Sequence, residues 1–252
     1  MDPDIVARLL DLNREFYTEF AESFAATRSA PWPGFARMLP YVREGARILD
    51  IGCGNGRVAR YLDENLRAGT YTGLDFSEPM LSEARRSSAH LAHLVADFRR
   101  ADVSRPEWSL ILDGGRYDAV LALAVLQHVP SFALRVSVVS QVARLLAPNG
   151  VFVMSHWQFV DSDRLRRRIV PWSQAGIAES DVEPGDYLLQ WRRDGVGHRY
   201  CHLITELEVA AMASSAALEL VQTFRADGRE GNLNLYALLA QPGAARTYQI
   251  PD

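Results

Sequence analysis

The run Ile48-Leu49-Asp50-Ile51-Gly52-Cys53-Gly54-Asn55-Gly56-Arg57 places three glycines where an apolar strand should turn into a helix. Glycine there permits positive φ and lets a ligand lie close to the backbone, beside the free amides of a helix N-terminus. Nineteen residues beyond Gly56, Asp75 closes the apolar stretch Tyr71–Leu74, where a carboxylate is placed to hold ribose hydroxyls. Together these residues point to nucleotide binding. The spacing differs from that of dinucleotide-binding dehydrogenases, because the glycines fall at 52, 54 and 56 and Arg57 stands where that pattern wants Gly or Ala.

Such a turn works only if a sheet carries it. Short apolar strands alternate with helical stretches along the chain, which predicts a parallel sheet wrapped by helices. Strands are expected at Arg47–Ile51, Tyr71–Leu74, near His93–Arg100, and at Tyr117–Leu123, Val151–His156, Leu218–Phe224 and Asn232–Ala240. Helices are expected at Gly56–Asn65, Pro79–His90, Phe132–Leu146 and Thr205–Ser215. Residues 1–44 read as a helical cap broken at Pro31-Trp32-Pro33, followed by a cofactor-binding core over residues 45–156. Residues 157–203 turn to arginines, tryptophans and turn residues without clear periodicity, as expected of a substrate-side insertion. A closing helix and strand pair (204–240) and a tail (241–252) complete one domain.

The glycine and acid pattern resembles the class I S-adenosylmethionine-dependent methyltransferases. Two further blocks agree with that family: Tyr117-Asp118-Ala119-Val120, opening a fourth strand, and Leu145-Leu146-Ala147-Pro148-Asn149-Gly150-Val151, leading into a fifth. The resemblance, strongest over residues 44–157, implies an α/β fold. Its Rossmann-like, seven-stranded, mostly parallel sheet would end in an antiparallel hairpin. It implies S-adenosylmethionine as cofactor, with Asp50 placing the methionine moiety, Asp75 the ribose, and an acid after the third strand lying near adenine. That acid is Asp102, with Asp97 as the competing choice. Gly52, Gly54 and Gly56, with Phe76 and Ala124, complete the expected cofactor set.

Residues outside the shared core must identify the acceptor. Phe24–Pro33, the block Ala124-Val125-Leu126-Gln127-His128, and the pair Gly185–Trp191 and Arg199–Leu203 resemble the eukaryotic tRNA methyltransferases that esterify carboxymethyluridine at the wobble position. In that family's pattern Gln127 replaces a histidine, Gln190 a proline and Cys201 a tyrosine; these departures are read as acceptor-facing. A carboxylate acceptor already carries its charge and needs alignment instead of a general base. Arg28 and Arg199 are candidates to grip it, with His128 as a neutral donor; for an amine or hydroxyl acceptor His128 would be the base. Tryptophans of the insertion and the run Arg164–Arg168 either meet RNA or serve packing and solvation. The family also implies a small zinc-binding activator as partner. A small-molecule methyltransferase with the insertion as a lid, a dehydrogenase and a non-catalytic binding module are the rival readings.

Composition narrows the field. The chain has 252 residues, 48% hydrophobic, and a formal net charge of −4, which excludes collagen-like, coiled-coil and wholly disordered classes and argues against indiscriminate nucleic-acid binding. All 27 basic residues are arginine, the side chain suited to bidentate phosphate and carboxylate recognition. The longest apolar runs, such as Ala119–Leu126, fall short of the ~18 residues of a membrane span. Met1–Arg8 is acidic where a signal peptide is basic, so a cytoplasmic protein is expected. Two cysteines, Cys53 and Cys201, cannot form a disulfide framework. Cys201 with His198 and His202 lacks the further ligands of a zinc site, and no metal is expected.

Overall fold

The computed structural model describes residues 1–20, 30–193 and 195–244. Seven strands form one sheet: β1 (Arg47–Ile51), β2 (Gly69–Asp75), β3 (Leu94–Arg100), β4 (Tyr117–Leu123), β5 (Leu146–Trp157), and the closing pair β9 (Glu219–Ala226) and β10 (Asn234–Ala240). Their order is β3-β2-β1-β4-β5-β10-β9. β1 to β5 are parallel, and β10 runs antiparallel to both β5 and β9. The expected sheet and its terminal hairpin are both present.

The chain winds outward from β1 to β3, then returns to lay β4 on the other side of β1. That reversal opens a crevice above the carboxyl ends of β1 and β4, where α/β sheets bind ligands. Alternation along the strands sends Ile48, Leu121 and Val153 to one face, against α3 (Arg57–Asn65) and α4 (Glu78–Ser87). Leu49, Val120 and Phe152 go to the other, against α5 (Phe132–Leu145) and α7 (Glu206–Ser215).

The cap consists of α1 (Pro3–Glu19) and α2 (Pro33–Met38), one on each side of the Pro-Trp-Pro break. Asp2 caps α1 by accepting from the Asp4 amide at 2.8 Å, with Pro3 at the first helical position. The insertion, expected to be aperiodic, contains the short helix α6 (Asp163–Arg166) and a three-stranded antiparallel sheet, β6 (Ile169–Val170), β7 (Asp186–Trp191) and β8 (Gly197–His202). Both faces of the β7–β8 hairpin are largely buried, so its residues do not alternate between apolar and polar and the sequence gives no period-two signal. Trp172, Ile177, Leu188 and Tyr200 pack against Leu9 of α1, so one face of α1 seats the insertion while the other reaches the crevice. No helix among the described residues is long and apolar enough to cross a membrane.

Candidate functional site

The crevice holds a cleft built from the β1 and β4 ends, the β2 end and α1. Gly52 and Gly54 adopt φ of +70° and +54°. A Cβ on Gly54 would meet nothing within 4 Å, whereas one on Gly52 would lie 2.5 Å from Val125, so Gly54 offers open backbone to a ligand and Gly52 lets β4's turn pack against β1's. Asp75 fixes the loop: its Oδ2 accepts from the Gly54 amide and its Oδ1 from the Ser77 amide, both at 2.9 Å. Each oxygen keeps lone-pair capacity for a further donor. Phe76, Asp102, Ala124 and His128 line the same cleft. Asp97 lies on β3, paired with Arg99 and lining a separate groove, so of the two competing acids Asp102 faces the cleft. Gly56 (φ +73°) caps α3 and packs against Ala84 and Ser88.

Asp50 is buried beneath the glycine turn and accepts a hydrogen bond from the Tyr71 hydroxyl. Burial pushes its carboxyl up to about 7; the Tyr71 bond opposes this and the Asp75 charge adds to it. The folded state therefore holds an extra proton between the ordinary value of 3.8 and about 7, and stability falls as pH rises across that window. Asp50→Asn is expected to raise the unfolding midpoint at about pH 8 by several degrees and to leave it unchanged near pH 4. Thermal melts at the two pH values check this, and an equal shift at both would contradict it.

Further cleft residues outside the glycine and acid motifs come from the cap and α3. Arg14 pairs with Asp102 at 2.7 Å, and Tyr17 meets the Nε2 of His128 at 2.9 Å. Their spacing with Leu10 and Asn13, which also line the cleft, is that of one helix face, a signal present in the sequence. Arg57, which departs from the dehydrogenase pattern, stacks on Trp32 at 4.2 Å and on Phe35 at 5.2 Å and donates to the Ala30 carbonyl. Burial brings its guanidinium down to about 10.

His128 sits just past β4 with its ring oriented on both sides: Nδ1 lies 3.0 Å from the Tyr200 carbonyl, to which it donates, leaving Nε2 to accept from Tyr17. Ala124, at φ +60°, is held by bonds from its amide to Ser155. Of the acceptor candidates, His128 and Arg199 line different clefts. Arg28 lies outside the described residues. Arg199 is buried on β8, over the rings of Trp157 (4.6 Å) and Phe16 (5.2 Å), and lines a second cleft beside the first.

Placement corrects two of the three departures read as acceptor-facing, Gln127 and Cys201. Gln127 is buried and accepts from the Trp157 amide at 2.7 Å, stapling the β4 turn to β5. Cys201 is buried among Trp157, Phe159 and Leu189, its thiol pushed up to about 12 by burial. Gln190 alone of the three lines the second cleft. His198 and His202 share strand β8, about 13 Å apart along it. Glu183, Asp186 and His202 offer ligand atoms within 4.8 Å of one another, but the Arg135 guanidinium, 3.0 Å from Glu183 and 3.2 Å from His202, already supplies the cation there.

The geometry fits a nucleoside bearing a cationic amino acid: open glycine backbone, an anchored carboxylate at the β2 end, and the acid Asp50 beneath the turn. A methyltransferase domain family matches residues 49–152. The chain is 28% identical over 178 residues to a probable tRNA methyltransferase 9B of Mus musculus, covering 69% of this chain and 36% of that protein. It is 31% identical to a tRNA (carboxymethyluridine(34)-5-O)-methyltransferase of Arabidopsis thaliana, covering 67% and 38%. It is also 31% identical to a ubiquinone biosynthesis O-methyltransferase of Dechloromonas aromatica (strain RCB), covering 69% and 65%. The chain thus spans little more than a third of the length of these two tRNA methyltransferases. Among solved structures, a SAM-dependent methyltransferase from Methanosarcina mazei superposes with a TM-score of 0.63 at 21% identity, covering 84% of this chain and 98% of that one. The chain carries a methyltransferase domain on the fold of the S-adenosylmethionine-dependent methyltransferases.

Proposed function

We propose that the chain methylates a carboxylate, the carboxymethyl group of wobble uridine in tRNA, with Asp50, Asp75 and Asp102 on the cofactor side and His128 and Arg199 on the acceptor side. Bound S-adenosylmethionine supplies an electrophilic methyl group on a sulfonium. The observation that carries the reading is that the titratable side chains described in the cofactor cleft are all engaged. Asp75 holds two backbone amides, Asp102 holds Arg14 and Ser104, Asp50 takes the Tyr71 proton bond, and His128 is bonded at both ring nitrogens. A carboxylate acceptor arrives deprotonated and asks none of them to take a proton; what it needs is alignment in a site shielded from water. α1, seated across the cleft by Arg14 and Tyr17, provides that shield. The carboxymethyluridine methyltransferase among the relatives agrees with this acceptor.

The ubiquinone O-methyltransferase relative favours a second reading, transfer to a hydroxyl of a small molecule. His128 would then take a proton through Tyr17, the two being 2.9 Å apart. Tritium transfer from labelled S-adenosylmethionine to total tRNA, stripped of existing esters by mild alkali, separates the two. The expected label is base-labile and leaves as volatile methanol, with or without an added small zinc-binding activator. Alkali-stable label, or label only on small molecules, would overturn the carboxylate reading.

A further inference from the structure

We infer that the second cleft, beside the cofactor site, is the path of an unpaired RNA strand, its arginines on backbone phosphates and Trp32 against a base. The inference deepens the proposed tRNA reading and rests on it. The cleft encloses about 690 Å³ and is lined by Arg164, Arg167, Arg168, Arg192 and Arg193. Among the described residues none of these five is in an ion pair. Arg166, in the same short helix, points elsewhere and is paired with Asp163. The one carboxylate lining the cleft, Asp227, is buried and committed to the Gly34 amide, Asn234 and Tyr236. Burial disfavours the charge on Arg168, and Arg164 and Arg199 repel it further. The fold thus gathers like charges without balancing them, in a chain whose formal net charge is −4. A polyanion relieves that repulsion at every phosphate it brings, and several arginines spread along one cleft suit a chain of phosphates better than a single one.

Aromatic side chains share the cleft with the arginines. Trp32, Trp157 and Trp191 line the cleft. Trp157 and Trp191 are nearly buried, while Trp32 is half-exposed and lines the cofactor cleft as well. Arg57 stacks on one face of that indole; the face left to the clefts is a stacking surface for a base that is not paired in a duplex, and a basic groove with such surfaces is how proteins hold single strands. A strand lying along the arginines brings the base beside Trp32 to the mouth of the methyl-transfer cleft.

The test measures binding, so it does not depend on which group is methylated. A fluorescein-labelled twelve-residue oligouridylate is titrated with the protein by anisotropy over a range of salt concentrations, with a duplex RNA of equal length and uridine monophosphate as competitors. The triple variant Arg164→Gln/Arg168→Gln/Arg192→Gln is expected to bind at least 10-fold more weakly near 0.1 M salt. Its slope of log affinity against log salt should fall by about 2, at about 0.7 per phosphate contact. Arg166→Gln, which removes one charge from the same helix outside the cleft, should bind as the parent does. Melting curves confirm that both variants fold. Three results would each overturn the inference: an unchanged slope in the triple variant, duplex competing as well as single strand, or uridine monophosphate competing as well per phosphate as the oligomer. Loss of carboxyl methylation with these binding results intact would instead count against the acceptor assignment.

Discussion

Arg135→Met is expected to lower the unfolding midpoint by about 10 °C, and by more at about pH 8.5 than at about pH 6. Arg135 is among the largest fully buried side chains, at 1% exposure. It pairs with Glu208 at 2.7 Å and Glu183 at 3.0 Å and donates to the Val129 carbonyl. His202 bridges Asp186 at 2.6 Å and Glu208 at 2.8 Å, and the Tyr200 hydroxyl donates to Asp186 at 2.8 Å. The network ties α5 and α7 to the insertion hairpin. Removing one member of a buried pair costs about 3–5 kcal/mol because the partner charges stay behind, and each kcal/mol is worth about 2–4 °C in a chain of this size.

The pH dependence follows from His202. Burial lowers its pKa, but the bonds to Asp186 and Glu208 outweigh burial and hold it above the ordinary 6.5. A raised histidine contributes its stability fully below 6.5 and loses it as pH rises through the folded value. For Glu208 burial acts upward, and the bonds from His202 and the Arg135 charge bring it below its ordinary 4.5; its contribution is present above 4.5 and lost in acid. The network is therefore strongest between about pH 4.5 and 6.5. Arg135 lowers the His202 pKa, so without it His202 holds its proton more firmly, and the protonated ring balances more of the carboxylate charge at pH 6 than at pH 8.5. Calorimetric melts at the two pH values measure this. A drop under about 2 °C, or one equal at both, would mean that the network does not hold the insertion in place.

The second large effect is on cofactor binding, where Asp75→Ala is expected to weaken S-adenosylmethionine at least 100-fold with the fold retained. The carboxylate organises the glycine turn through Gly54 and Ser77 and in the proposed role accepts from the ribose. Hydrogen bonds to a charged group are worth about 1.5–3 kcal/mol each, so losing two gives roughly a hundredfold or more. Asp102→Ala should weaken binding less, since it releases Arg14 and α1 but leaves the turn intact, and Asp97→Ala should change nothing. Isothermal titration of the three variants orders them. Asp97→Ala matching Asp102→Ala would return the adenine-side assignment to the alternative acid.

How far these effects could be foreseen depends on how local their causes are. The turn at Gly52, Gly54 and Gly56, the helix start at Arg57 and the acid at the β2 end lie within one strand, turn, helix and strand, where backbone sterics and amide orientation act over a few residues. The core strands and helices were equally legible, because one buried face imposes its period on the sequence. The β7–β8 hairpin was not, being covered on both faces.

Contacts across the chain left no such trace. Arg14 meets Asp102 and Tyr17 meets His128 over 88 and 111 residues of sequence, and Arg135 gathers partners from the insertion and α7. Sequence spacing does not report which side chains a tertiary fold brings within 3 Å. Hence Gln127 and Cys201 looked like changes facing the acceptor until packing placed them inside, and the run Arg164–Arg168, open between RNA contact and solvation, gave no sign that it shares a cleft with Arg192 and Arg193. By itself the sequence determined the sheet, the turn and the chemistry of the cofactor. Only the tertiary structure decided which charges are balanced inside the protein and which are left facing a cleft, because that balance is set by neighbours distant in the chain.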